Sequence, residues 1–155
     1  MQKSSVLVLL VALAVPGVVS AHPTWLDACE QAVLDYAYYR DRPDADNVAK
    51  LFTSDGTFKM AQDVFSGRDA IHQRIKDAEG GPVFRHMMST IHIEQSGEDT
   101  ARGVSYATVY LAPPGELPIT ITDFAALGEY HDEFVRQGEG CLIRNREFIQ
   151  VFVPG

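Results

Sequence analysis

The sequence predicts an α+β domain in which short helices come first and a strongly curved antiparallel sheet follows. Residues 25–79 carry apolar side chains at three- and four-residue spacing, which is typical of amphipathic helices. Residues 86–153 are rich in β-branched and aromatic side chains and are divided by short turns, which indicates long strands. Such a sheet buries its inner face only by bending into a cone around the three N-terminal helices. The open end of a cone is a usual place for a small-molecule site.

Three helices are predicted in the first half of the chain. The first covers 25–40, with Thr24 as its N-cap, and it stops before Pro43 because proline disfavours helix in the preceding residue. The second covers 44–52 and the third covers 68–79. A short hairpin is expected between the second and third helices, and long strands follow. The predicted strands are 56–60 and 64–66 in the hairpin, then 86–95, 101–112, 119–136 and 141–153.

The first 21 residues are expected to be a signal peptide. Lys3 supplies a positive charge, residues 6–15 form an apolar run, and residues 19–21 include the small residues that a signal peptidase requires. The run is shorter than the roughly 20 residues that span a bilayer, although a retained N-terminal anchor is the alternative. Cleavage after Ala21 would leave a secreted or periplasmic domain over 22–155.

Charge and cysteine content restrict the partners of this domain. The chain has 13 basic and 21 acidic residues, a net charge of −8, and no cluster of lysine and arginine. We therefore expect no nucleic-acid partner, and no membrane partner once the signal is removed. Cys29 and Cys141 are either a disulfide between the first helix and the last strand or two buried thiols. No Cys/His spacing of a metal site occurs, so we expect no metal and no cofactor.

Five stretches together resemble the SnoaL-like members of the NTF2-like superfamily. They are 36–41, 51–58, 67–71, 85–86, and 128–136 with 141–146. This group includes scytalone dehydratase, bile-acid dehydratase, ketosteroid isomerase and polyketide cyclases. The resemblance implies an NTF2-like cone over 22–155 and a homodimer paired through the outer face of the sheet. One departure is Cys141, where the family commonly has a tryptophan that opens the final strand.

The resemblance implies a catalytic group of His86, Asp41 and Tyr36. His86 matches the family's general base or acid, and imidazole suits that role because it takes and returns protons near neutral pH. Asp41 would orient the imidazole. Tyr36 and Asp41 are five residues apart, so they share a face only if the helix ends before Asp41. A structural histidine and a solvated acid are the alternatives.

A second set of residues is expected to contact the substrate: Tyr39, Met88, Tyr106, Thr108 and Arg146. Aromatic residues at helical spacing are more often core, and Arg146 has an ion pair with Asp132 or Glu133 as its alternative. The face of Tyr106 and Thr108 falls where family members place a second histidine or aspartate, and here it has neither. His92 alternates with His86 and could substitute, unless a bulge turns it outward.

The function implied is that of a cofactor-independent lyase or isomerase, dehydratase-like, acting on a hydrophobic polyketide, terpenoid or steroid-like molecule. A polyketide-type cyclase of the same fold is an alternative. The missing second proton-transfer group favours another, a non-catalytic binding protein. The third alternative is a dimeric interaction module.

Overall fold

The computed structural model describes residues 24–155, so the predicted signal peptide and its cleavage site lie outside the described residues. Three helices and six strands form the domain. The helices are α1 (Trp25–Arg40), α2 (Ala45–Lys50) and α3 (Arg68–Lys76). The strands are β1 (Phe52–Met60), β2 (Asp63–Ser66), β3 (Val83–Gln95), β4 (Thr100–Ala112), β5 (Ala126–Gln137) and β6 (Gly140–Phe152). The predicted α+β class is confirmed, and α1 has the predicted bounds.

All six strands form one sheet in the order β2-β1-β6-β5-β4-β3. Neighbouring strands are antiparallel except for β1 and β6, which run parallel. The expectation of a wholly antiparallel sheet is therefore wrong at this one pair. The reason is that α3 separates the β1–β2 hairpin from the meander β3–β6, and the hairpin joins the sheet beside its last strand rather than its first.

Several predicted boundaries differ from the structure, among them the end of the second helix and the start of the fifth strand. The second helix ends at Lys50, since Phe52 is fully buried and pairs with Ile143 as the start of β1. The fifth strand begins at Ala126 rather than at residue 119. Residues 119–125 are irregular although they contain no proline, and the pairing of β5 with β4 starts at Ala126, opposite Val109.

The sheet bends around α1, which contacts both β3 and β6 although β4 and β5 lie between these strands. Irregular register helps the strands to bend. Pairing shifts between Ser89 and His92, where Thr90 has a φ of 47°. In β5, Gly128 lies so close to the carbonyl oxygen of Ile149 that a Cβ there would collide with it. The resulting concave face holds the core.

A disulfide joins the first helix to the last strand. Cys29 in α1 and Cys141 in β6 are bonded, with their Cα atoms 5.0 Å apart and a sequence separation of 112. The alternative of two buried thiols is therefore excluded. Among residues 24–155, no helix is long and apolar enough to cross a membrane.

Candidate active site

Asp41 and His86 form a buried pair where the end of α1 meets β3. Asp41 is the C-cap of α1 and keeps a helical backbone, with a φ of −68° and a ψ of −13°. One carboxylate oxygen, Oδ1, lies 2.6 Å from Nδ1 of His86. The backbone N–H of His86 donates to the same carboxylate, at 3.0 Å to Oδ2 and 3.2 Å to Oδ1. The two side chains are only 6% and 8% exposed.

The contacts of Asp41 determine which nitrogen of His86 is free. Burial raises the pKa of Asp41, but the hydrogen bonds from the side chain and backbone of His86 outweigh it, so the pKa lies below its ordinary value. An ionised carboxylate only accepts hydrogen bonds, so Nδ1 of His86 must carry a proton. In the neutral ring Nε2 is then unprotonated and can act as a base.

The His86 ring lines a partly enclosed cavity of about 130 Å³ between α1, α3 and the concave face of the sheet. Most of its wall is apolar and aromatic. The lining residues are Tyr36, Arg40, Phe58, Met60, Arg74, Ile75, Phe84, His86, Val109, Ala126, Tyr130 and Phe148. The polar groups that meet this space come from two tyrosines, two arginines and the histidine. An apolar pocket with few convergent polar groups is the usual form of a small-molecule site.

Tyr36 and Tyr130 stand together on the cavity wall. Their rings are 5.5 Å apart and tilted by 67°, and the ring of Tyr36 is 6.4 Å from that of His86. Burial, and next the neighbouring Tyr36, raise the pKa of Tyr130 well above its ordinary value. Tyr130 therefore stays a neutral phenol, which can donate a hydrogen bond to a negatively charged oxygen.

Arg146 supports the tyrosines from behind rather than lining the cavity. It donates two hydrogen bonds of 2.7 Å to Asp132, and both side chains are almost completely buried. Its guanidinium lies 4.2 Å from the ring centre of Tyr36 and 4.6 Å from that of Tyr130. The ion pair with Asp132, which was the alternative for Arg146, is the arrangement found. Its predicted direct contact with substrate is not supported by this position.

Four other residues that were expected to contact substrate lie outside the cavity lining. Tyr39 and Met88 pack against the core beside it. Tyr106 and Thr108 lie on the opposite face of β4, and Tyr106 is exposed. These two residues therefore do not line this cavity. Their neighbours Ser105, Ala107 and Val109 face inward, and they too provide no second acid or imidazole.

His92 lies on the outer face of the sheet. The register shift between Ser89 and His92 inserts an extra residue, so His92 no longer shares the face of His86. It lines a groove of about 610 Å³ on that outer face, among exposed charged residues such as Glu94 and Arg102. The described part of the chain holds no cluster of three or more His, Cys, Asp or Glu side chains placed to bind a metal.

Among the polar residues of the cavity wall, Arg40, Arg74 and Tyr130 were not predicted as site residues. Tyr130 could have been found from the alternation of β5, because it shares a face with the inward Asp132 and Phe134. Arg40 is the last residue of α1, where a cation is expected simply because it complements the helix dipole. That ordinary role hides its burial at the cavity.

An α+β cone of this kind, with a small pocket on its concave face, is the NTF2-like fold. Within it, the chain belongs to the SnoaL-like domain family, whose model matches residues 24–147. The family resemblance seen in the sequence is thereby confirmed. No curated protein matches the sequence.

Solved structures with the same fold are distant in sequence. A Novosphingobium aromaticivorans protein provisionally named scytalone dehydratase is 23% identical, with a TM-score of 0.73 over 83% of this chain and 85% of that one. ActVI-ORFA from Streptomyces coelicolor is 19% identical, with a TM-score of 0.69 over 81% and 96%. Rv3472 from Mycobacterium tuberculosis, of unknown function, is 23% identical, with a TM-score of 0.71 over 83% and 72%. At these identities the likeness shows the fold alone.

Proposed function

We propose that the protein is a lyase or isomerase of dehydratase type that moves protons with the Asp41–His86 pair and needs no cofactor. The observation that carries the proposal is the contact of 2.6 Å between Oδ1 of Asp41 and Nδ1 of His86, with the same imidazole ring lining the cavity. A histidine held in one tautomer by a buried carboxylate is the arrangement used for general acid–base catalysis.

In the proposed reaction, Nε2 of His86 takes a proton from the carbon next to a substrate carbonyl. The C–H electrons form a carbon–carbon double bond, and the carbonyl electrons move onto oxygen. Tyr130, with Tyr36 beside it, donates a hydrogen bond to that oxygen. Asp41 stabilises the imidazolium through the Nδ1 contact.

The second half of the reaction returns the proton. In a dehydration the enolate reforms its carbonyl, the bond to a β-hydroxyl breaks, and the departing oxygen takes the proton from His86 as water. In an isomerisation His86 protonates a different carbon instead. One imidazole performs both steps, which suits a lining whose only imidazole is His86.

The size of the cavity favours small substrates among the classes expected. Typical ligand pockets measure about 300–1,000 Å³, whereas this one measures about 130 Å³. A small hydroxy-ketone or a similar molecule fits the space as it stands. A polyketide, terpenoid or steroid-like substrate requires the walls of the cavity to move.

Proton exchange tests the proposal without knowledge of the native substrate. The wild type, His86→Ala and Asp41→Asn are incubated in D₂O with a panel of small ketones and β-hydroxy ketones, and deuterium uptake is followed by NMR. We expect the wild type to accelerate exchange and His86→Ala to lose at least about 100-fold of that rate. The matched control is His72→Ala, because His72 contacts Asp46 at 3.0 Å outside the cavity. Full exchange in His86→Ala and Asp41→Asn would rule the mechanism out.

A second candidate is a binding protein of the same fold that does not convert its ligand. The presence of a single acid–base nitrogen in the lining supports it. An unaltered ligand that copurifies, and that binds His86→Ala with the affinity of the wild type, would favour this candidate.

We propose further that the protein is exported. The disulfide supports this, since structural disulfides persist in oxidising compartments. Expression of the full chain in a secreting host, followed by N-terminal sequencing, should give a mature protein that begins at His22. A retained Met1 in the exported fraction would contradict cleavage.

A further inference from the structure

Arg40 is a buried cation without an acidic partner. Its side chain is at the cavity, the residue is only 6% exposed, and Nη1 is buried with no hydrogen-bond partner. Within residues 24–155, Arg40 takes part in no side-chain hydrogen bond and in no ion pair. The carboxylate next to it in sequence, that of Asp41, is occupied by His86.

The other buried arginine of the core, Arg146, also has a buried Nη1 without a hydrogen-bond partner, but its charge is balanced. Arg146 is neutralised by two hydrogen bonds to Asp132. Arg40 has only a stacking contact, with its guanidinium 4.0 Å from the ring centre of Phe84. Burial, the largest influence, lowers the pKa of Arg40. Nearby Arg74 lowers it further, whereas Tyr36, Tyr130 and Asp41 offset part of this decrease. Guanidinium nevertheless remains charged in proteins, so the cavity wall holds a positive charge that forms no ion pair within residues 24–155.

The position of Arg40 relates it directly to the catalytic pair. Phe84, on which Arg40 stacks, also stacks against the ring of His86, with centroids 6.4 Å apart and planes 24° apart. Arg40, Phe84 and His86 therefore follow one another along a single wall. Arg74, half-buried on α3, meets the same cavity and adds a second cation.

We propose that Arg40 receives a carboxylate of the substrate, so that the site takes a small keto or hydroxy acid rather than a neutral molecule. The planar guanidinium matches a carboxylate in a two-bond fork, and one carboxylate balances one buried charge. With its carboxylate on Arg40, a substrate that fits about 130 Å³ has its reacting carbon near His86. The role of His86 in this picture rests on the proposed function, whereas carboxylate binding by Arg40 does not.

The test compares two probes of the same shape, butyrate and the neutral butyramide. Binding to the wild type is measured by NMR titration at neutral pH. We expect butyrate to bind at least about tenfold more tightly than butyramide. Arg40→Met should abolish this preference. Arg40→Lys, which keeps the charge but loses the fork, should retain part of it and secures the test if Arg40→Met does not fold.

Arg42→Met is the matched control. Arg42 lies two residues further on, is exposed, and is stacked on Tyr38 outside the cavity. It should keep the full preference for butyrate. Equal or absent binding of the two probes by the wild type, or an undiminished preference in both Arg40 variants, would overturn the inference. His86→Ala should still prefer butyrate, so a failure of the catalytic proposal is distinguished from a failure of this one.

Discussion

Replacing Asp41 with asparagine tests the pair on which the site depends. The change keeps the shape of the side chain but removes its charge and one of its two acceptors. In the wild type Oδ1 accepts from Nδ1 and Oδ2 accepts from the backbone N–H of His86. The variant loses one charge-assisted hydrogen bond, worth about 1.5–3 kcal/mol, and brings an amide donor against a buried donor. We therefore expect the free energy of unfolding to fall by about 3 kcal/mol at pH 7.

The dependence on pH provides a second check, and its sign follows from the lowered pKa of Asp41. A carboxyl whose pKa is lowered on folding stabilises the protein above its unfolded pKa, about 3.9. This contribution is lost as the pH falls through the folded pKa. The difference between wild type and Asp41→Asn should therefore be full at pH 5–7 and should shrink below about pH 4.

Urea unfolding followed by circular dichroism measures both effects. The matched control is Asp46→Asn, which removes an exposed aspartate that also contacts a histidine, His72, at 3.0 Å. Exposed ion pairs contribute little to stability, so the control should change the free energy of unfolding by less than about 1 kcal/mol, both at pH 7 and below about pH 4. Equal effects of the two variants at pH 7, or a difference from wild type that does not shrink in acid, would refute the reasoning.

Three further predictions concern the scaffold, and urea unfolding measures each. Replacing Cys29 and Cys141 by alanine opens a loop closed over 112 residues and should lower the free energy of unfolding by about 4 kcal/mol. Wild type in reductant should match that variant, and insensitivity to reductant would contradict it. Asp132→Asn leaves the charge of the buried Arg146 without its partner and should lower the free energy of unfolding by about 3–5 kcal/mol. The double variant with Arg146→Met should recover part of this loss. A double variant as unstable as Asp132→Asn would speak against a charge effect. Gly128→Ala forces a methyl group against the Ile149 carbonyl and should cost about 1–3 kcal/mol, whereas a neutral effect would mean that β6 can move.

The sequence was sufficient to predict the helical part of the fold and the central contact of the site. Proline at 43 placed the end of α1 correctly, because its effect on the preceding residue is local and needs no knowledge of the tertiary structure. Asp41 follows as the C-cap with a helical backbone, and its carboxylate contacts His86 from that position. His92 faces outward because of a bulge between Ser89 and His92, and the sequence alone does not reveal the position of that bulge.

The inner face of β4 could not be identified from the sequence. Tyr106 and Thr108 were assigned to the site, yet the inward side chains Ser105 and Ala107 are smaller. Small residues are needed there because the space above the sheet is filled by large side chains from other elements, such as Tyr36 and Tyr130. Which strands carry large inward side chains and which carry small ones is decided by the packing of the whole core.

The pairing of β1 with β6 determines the order in which parts of the fold can form. The ladder joins Phe52 to Ile143 and Phe58 to Arg146, contacts that span about 90 residues of chain. A growing polypeptide that has not reached β6 can form α1 and the β1–β2 hairpin, but it has no strand to join the hairpin to the sheet and no partner for Cys29. Closing such distant contacts is slow, since loop entropy is lost before they form. The cavity should accordingly appear late and all at once, and shortening the chain by its last strand should remove the site altogether rather than weaken it.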